Sequence, residues 1–465
     1  MSLSRRAAII SSLSVGAIGA LGAPAFAAKQ QSSELAVAAS HRLRVQKRGT
    51  CIVFGASERP HDTTFSLFGQ VALKGPAATE DSIFAIGSLT KIFTTLLLAN
   101  AVREGRMKLD DPLQTYMPEG VVVPSFEGQA MTLADLASHG SGLALRPPNL
   151  GSTDPLDPYA GYDEDALYAG IAAAPLTRAP GAAFEYSNFG YGLLGKALER
   201  ALGQSYGALV QSTITGPLGL RSTGLTPPKP SDRRRVQGYD LDLKPVPAWD
   251  MTALVEAGGL FSTVRDIRNF LSLWTENLDI PLALAARDML TPIGPGDNPA
   301  VRIGLGWRVE TLGDQTIYWS NGSVGGCRSF MGFDLSARRA IAGFNNAQTA
   351  YGVDDICRHW LAPSEEVDMS VPVVRTIISL TPEQLAPFVG TYLAEPDDVV
   401  EVMLEGGGLK VHIGPQSIAI HPFGPRQFFI REVEVQLDFE AGADGRIERL
   451  IWRQGGVDTL MTRVR

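Results

Sequence analysis

Apolar and polar positions change their spacing several times along the chain, and each change marks an expected element. Cys51 to Val71 falls into short extended runs, Phe65-Ser66-Leu67-Phe68-Gly69 among them, and predicts strands. Asp81 to Gly87 is a further short extended run. It leads into Ile92-Phe93-Thr94-Thr95-Leu96-Leu97-Leu98-Ala99, a solid apolar stretch expected to be a buried helix. From there to about Phe270 the chain leans to helix, with long Gly/Pro loops. The longest, Leu145 to Tyr162, carries prolines at 147, 148, 155 and 158. It is expected to border a cleft, because irregular segments of that length are often functional. Strands return between Gly304 and Asn345, and a last helix ends at His359-Trp360. Strands from both ends with helices between them predict an α+β fold: an antiparallel sheet flanked by helices, an all-helical lobe, and a site at their junction.

Beyond this the pattern changes. Pro363 to Thr376 reads as a linker. Short alternating strands follow, clearest at 399–404, 408–413, 427–430, 433–439, 446–452 and 459–464, with turns at Glu405-Gly406-Gly407 and Asp444-Gly445. They predict a small antiparallel barrel or curved sheet. Its Phe-bearing strands would line a ligand pocket or simply fill a core. The expected organisation is a leader over 1–27, a catalytic-type unit over 28–362, a linker over 363–376 and a β unit over 377–465.

Composition narrows the class. Hydrophobic residues make up 45% of the 465, ample for a large core. Length alone suggests about three domains, and two large ones fit the pattern better. The net charge of −8 argues against nucleic acid as a partner. Arg42, Arg44, Lys47 and Arg48, and separately Arg233-Arg234-Arg235, are expected to be solvated faces. The N-terminus, Ser4-Arg5-Arg6-Ala7-Ala8-Ile9, resembles a twin-arginine signal. An apolar stretch and a small-x-small site at Ala25-Phe26-Ala27 follow. Export to the periplasm or exterior of a bacterium is expected, with no membrane span left after cleavage. Cys51, Cys327 and Cys357 permit one disulfide in an oxidising compartment, or simple packing. Neither they nor the six histidines have metal-ligand spacing, so no metal and no cofactor is expected; His139 reads as structural.

Three short segments carry the chemistry. Ser88-Leu89-Thr90-Lys91 sets a hydroxyl and an amine one helical turn apart, and no other serine in the chain precedes a lysine at this spacing. The amine could activate the hydroxyl as a nucleophile without histidine. Phe184 to Gly192 holds the one Tyr-x-Asn of the chain, Tyr186 and Asn188: a phenol that can relay a proton and an amide that both donates and accepts. Tyr318 to Phe330 reads as a strand interrupted by glycines, a sign of close backbone approach or of a tight hairpin. Each segment alone has a structural explanation. A competing nucleophile elbow, Gly203-Gln204-Ser205-Tyr206-Gly207, lacks the strand it needs; a helix ending at Gly203, with Ser205 capping the next, accounts for it better.

Taken together, the segments resemble the serine β-lactamase and penicillin-recognising hydrolase family, in its class C-like and D,D-peptidase/esterase branch. That family carries Ser-x-x-Lys, Tyr-x-Asn and a third Lys-Thr-Gly or His-x-Gly motif. Thr132-Leu133-Ala134-Asp135-Leu136-Ala137-Ser138-His139-Gly140-Ser141-Gly142-Leu143 is a further match, and the resemblance spans roughly Phe65 to Trp360. It implies Ser88 as acylated nucleophile, Lys91 and Tyr186 sharing the role of general base, and Asn188 holding the substrate amide. The oxyanion would lie between the backbone N–H groups of Ser88 and Ser323. The C-terminal strands resemble the lipocalin-like module attached to many such hydrolases.

One position departs from the family. The third motif reads Ser320-Asn321-Gly322-Ser323, with Ser320 where the family has a cation. Substrates lacking a carboxylate at that point gain ground. Arg328 would supply charge from elsewhere or sit on the surface. The expected function is acyl-enzyme hydrolysis of an amide or ester (a β-lactam, a D-amino-acid peptide or an ester). A penicillin-binding or sensor protein that acylates without turnover is the alternative. The expected partner is a small molecule or short peptide, peptidoglycan fragments included.

Overall fold

The computed structural model describes residues 23–44, 47–151, 154, 156–176, 178–349, 352–363, 377–394, 398–413, 416–430, 435–454 and 457–464. The expected leader therefore lies outside the described residues as far as residue 22, and the expected linker from residue 364 onward.

Helix α1 (Ala23–Arg44) precedes a hairpin of β1 (Cys51–Arg59) and β2 (Asp62–Gly69). The chain then leaves the sheet and returns as β3 (Gly294–Pro295), β4 (Val301–Ile303), β5 (Arg308–Leu312), β6 (Gln315–Val324), β7 (Cys327–Asp334) and β8 (Arg339–Asn345). All pair antiparallel, in the spatial order β2-β1-β8-β7-β6-β5-β4-β3. N-terminal β1 thus closes against β8, which explains strands at both ends of one unit.

The central strands are covered on both faces. Cys51 and Val53 enter one apolar cluster, while Ile52 and Phe54 enter another, as a side-chain period of two requires. The first face packs on the helical lobe, which includes α2 (Thr90–Arg103), α3 (Asn188–Leu202) and the short α4 (Val255–Gly258). Phe93 of α2 stacks on Phe270 at 4.2 Å between ring centroids. The second face packs on α1 and on α5 (Asp354–Leu361). The α+β architecture expected from the pattern is the one observed.

The local expectations met mixed outcomes. The third motif is a hairpin, β6 and β7, turning at Gly325 and Gly326, both at positive φ. Arg42 is buried: it donates to Gly352 O and pairs with Asp355 of α5, so it ties α1 to the sheet unit instead of facing water. Arg233, Arg234 and Arg235 are exposed, Arg234 beside Asp232. All three cysteines are free, buried thiols, and burial pushes Cys327 up to about 12. Helix α3 does end at Gly203, at φ 71°. Ser205 stands at the next N-cap without making the capping bond; the Tyr206 N–H goes to Glu199 Oε1 at 2.6 Å.

The C-terminal strands close into an eight-stranded antiparallel barrel over Gly390–Arg463. Two of its strands, Gly390–Ala394 and Gln416–Gly424, escaped the pattern reading. The second contains Pro422 at a register shift, a bulge being where a strand tolerates proline. Phe388, Phe428 and Phe439 pack against one another at 4.9 to 5.4 Å, so these aromatics form the barrel's core.

Two outcomes follow from this packing. Phe428→Ala, at a fully buried position, should destabilise the barrel by about 3–5 kcal/mol in a denaturant titration. A thiol reagent should leave Cys51, Cys327 and Cys357 unmodified in the native protein and label all three after unfolding.

Candidate active site

Ser88 lies in a single 3-10 turn, Gly87–Leu89, at the head of α2. The turn is pinned from three directions. Ile86 N–H donates to Leu260 O (3.0 Å), Ser329 Oγ of β7 donates to Ile86 O (2.7 Å), and Thr90 Oγ1 donates to Gly87 O (2.7 Å). Gly322 of β6 lies directly over it. A Cβ there would meet Ile86 O at 2.2 Å, Ser329 Oγ at 2.5 Å and Ser88 N at 3.0 Å. A Cβ on Gly87, at φ 51°, would meet Ser323 N at 3.0 Å. Two glycines therefore allow β6 and the Ser88 turn to touch backbone to backbone, with the Ser88 and Ser323 amides in that contact.

Lys91 follows one turn later. Its Nζ donates to Ser88 Oγ (3.0 Å), Asn188 Oδ1 (2.8 Å) and Ala257 O (2.7 Å). Tyr186 O–H donates to Ser88 Oγ at 2.6 Å, and its ring lies 4.7 Å from Lys91 Nζ. Structure thus joins Ser88, Lys91, Tyr186 and Asn188 in one hydrogen-bonded cluster. Gly322 and Ser323 border it through backbone. Ser320, buried and two residues before Gly322 on β6, points to the same face by strand alternation.

The electrostatics separate the amine from the phenol. Lys91 is 3% exposed, and burial lowers its pKa well below the ordinary lysine value, with the Arg308 charge adding to the effect. Burial raises the Tyr186 pKa, while its bond to Ser88 and the Arg308 charge act the other way. The amine is pushed toward its neutral form and the phenol toward keeping its proton.

Four contributors lie outside the Ser-x-x-Lys, Tyr-x-Asn and third motifs. His139, at φ 60°, stacks on Tyr186 at 4.3 Å, and its Nδ1 accepts from Ser187 N–H at 3.1 Å. Burial, then the Lys91 and Arg308 charges, lower the His139 pKa well below its ordinary value, so the ring is a neutral wall for the phenol. Tyr159, from the long proline-bearing loop, accepts from Asn188 Nδ2 at 2.9 Å and fixes that amide with its oxygen toward Lys91. The Ala257 carbonyl is a main-chain group. Arg308 of β5 pairs with Asp297 at 3.1 Å and lies 4.9 Å from the Trp319 ring. The loop's prolines were a visible signal for Tyr159; nothing in the sequence marked Arg308.

Arg328 lies outside the site and is partly buried; its charge answers Asp354 of α5, and burial lowers its pKa. Asn321, on the face of β6 away from Ser88, donates to Asp354 Oδ2 at 2.6 Å. Among the described residues no group of three or more His, Cys, Asp or Glu is arranged to hold a metal.

The chain is similar to several known proteins. Residues 27–362 match the β-lactamase family model. The D-alanyl-D-alanine-carboxypeptidase/endopeptidase AmpH of Escherichia coli (strain K12) is 31% identical over 264 residues, covering 54% of this chain and 67% of that protein. Esterase EstB of Burkholderia gladioli is 31% identical over 181 residues, covering 37% and 45%. A β-lactamase/D-alanine carboxypeptidase from Yersinia pestis, solved with citrate, superposes with a TM-score of 0.59 at 25% identity, over 69% of this chain and 93% of that one. The octameric penicillin-binding protein homologue from Pyrococcus abyssi shares the fold over 94% of this chain and all of its own, with a TM-score of 0.62 at 21% identity.

Gly322→Ala should force β6 away from the Ser88 turn. Labelling of Ser88 by a fluorophosphonate probe is expected to fall about 100-fold, with the circular dichroism unchanged.

Proposed function

The chain belongs to the β-lactamase family of serine hydrolases, and on that footing we propose that it cleaves an amide or ester through an acyl-enzyme on Ser88. The supporting observation is the cluster in which Ser88 Oγ meets both Lys91 Nζ and Tyr186 Oη while Asn188 and Ala257 hold the amine. Neutral Lys91 takes the Ser88 proton as Oγ bonds to the substrate carbonyl carbon. The carbonyl oxygen gathers charge between the Ser88 and Ser323 amides, a device worth about 3–4 kcal/mol per donor. The C–N or C–O bond then breaks, and the proton reaches the leaving group through Tyr186. Water reverses these steps to free the acyl group. In this reading base and proton relay are two residues, Lys91 and Tyr186, because burial moves their pKa values in opposite directions.

The substrate is an ester or amide without a carboxylate facing residue 320. Ser320 offers a hydrogen bond and no charge, and Asn188 keeps one amide hydrogen for the acyl side. Relatives named as a D-alanyl-D-alanine-carboxypeptidase/endopeptidase and as an esterase bracket this choice. The twin-arginine-like start and Ala25-Phe26-Ala27 support export to the periplasm or beyond, and no described helix is long and apolar enough to cross a membrane. The closed barrel supports the lipocalin-like reading of the C-terminal unit.

Intact mass after incubation with a fluorescent penicillin and with a short-chain nitrophenyl ester, beside Ser88→Ala, tests the proposal. A Ser88-dependent adduct or product is expected, with the ester preferred. Undiminished turnover by Ser88→Ala would exclude the mechanism, and an adduct without turnover would favour the penicillin-binding or sensor alternative. Ser320→Lys should raise the ratio of carboxylate-bearing to neutral substrate turnover about tenfold, the scale of one charged hydrogen bond. An unchanged ratio would count against the role given to residue 320.

A further inference from the structure

Beneath the site lies a second group of charges that the chemistry above does not use. Glu256 of α4 is completely buried, and its Oε1 lies 3.2 Å from Lys196 Nζ of α3. Neither carboxylate oxygen has any other hydrogen-bond partner among the described residues. Lys196 also meets Glu199 at 2.7 Å and Glu164 at 3.6 Å, and Glu256 lies within electrostatic reach of Glu199 and Tyr206. Burial pushes Glu256 up to about 8, against the pull of Lys196. An apolar pair of this size is often at least as stabilising as a buried ion pair, so this one reads better as a device for geometry than for stability.

The geometry connects it to the amine. Helix α3 begins with Asn188 and carries Lys196 two turns on; α4 carries Glu256 and then Ala257. Asn188 Oδ1 and Ala257 O are two of the three acceptors on Lys91 Nζ. One turn beyond Lys91 on α2, Thr94 Oγ1 donates to Glu256 O at 2.7 Å and meets Tyr206 Oη at 2.8 Å. Gly195 supplies the hollow: a Cβ there would lie 2.0 Å from Glu256 Cγ. We propose that the buried Lys196–Glu256 pair is a positioning device that clamps α3 to α4 and so fixes both acceptors that hold Lys91 in its dry, reactive place. Its catalytic consequence rests on the acyl-enzyme reading; its effect on Lys91 does not.

The test is the titration of Lys91 itself, alongside turnover. Carbon NMR of the lysine side chains in the full chain, with Lys91→Met assigning the resonance, follows its protonation without requiring any reaction. Gly195→Ala pushes the Glu256 carboxyl out of its hollow and removes no titratable group. Glu256→Leu keeps the bulk and removes the carboxyl that meets Lys196, and it decides the matter if Gly195→Ala does not fold. Loosening the clamp admits water to the amine. The Lys91 pKa is therefore expected to rise by about one unit or more in both variants. The turnover number should fall about tenfold, with KM within about twofold, and the acid limb of acylation should move to higher pH. A Lys91 titration unchanged in the folded variants would overturn the clamp, even if thermal stability fell. A shifted titration in a protein without Ser88-dependent turnover would leave the clamp standing and remove the hydrolase reading instead.

Discussion

The site depends on one amine kept out of water. Lys91 sits at 3% exposure under Tyr186 and Tyr191, with three oxygen acceptors on its Nζ. Hydrogen bonds to an ammonium are worth about 1.5–3 kcal/mol each and favour the charged form. Full desolvation costs an ion several kcal/mol and favours the neutral one. Here burial is the larger effect, helped by Arg308, and the amine is pushed toward its free base. The apolar run from Ile92 to Ala99 excludes the water, so the helix that carries the lysine also supplies much of its dry surroundings.

Close backbone approach is the second constraint. Gly322 and Gly87 let β6 lie on the Ser88 turn, and Ser329 from the next strand ties down the carbonyl before it. A sheet buried on both faces gives β6 a fixed position, and α5 braces its far side through Asn321 and Asp354. The Ser88 turn is thus set by the sheet, while the Lys91 amine is set by the helical lobe. Ser88 is where the two meet.

Legibility followed sequence distance. Ser88 with Lys91, and Tyr186 with Asn188, are local pairs whose spacing alone marks them as candidates, and the α+β order could be read from strand-like ends around a helical middle. What the sequence did not show is tertiary. The Ala257 carbonyl has no side-chain signature, and Tyr159 reaches Asn188 from a loop with no regular pattern. Arg308 bears on the site from a strand with no motif. Arg42 looked like a solvated charge because its partner, Asp355, lies 313 residues away. Arg328 was misplaced for a related reason, since Asp354 draws it to the other face of the sheet. Pro422 hid a strand because the bulge that tolerates it is visible only in the register.

The central claim is that Lys91 is the base and Tyr186 the proton relay. The pH profile of the acylation rate in Tyr186→Phe beside the unaltered protein tests it most directly. If the claim holds, the variant is slower but keeps its acid limb where the unaltered protein has it, because that limb belongs to Lys91. Disappearance of the limb, or its displacement in Tyr186→Phe, would show that the phenolate is the base and contradict the account.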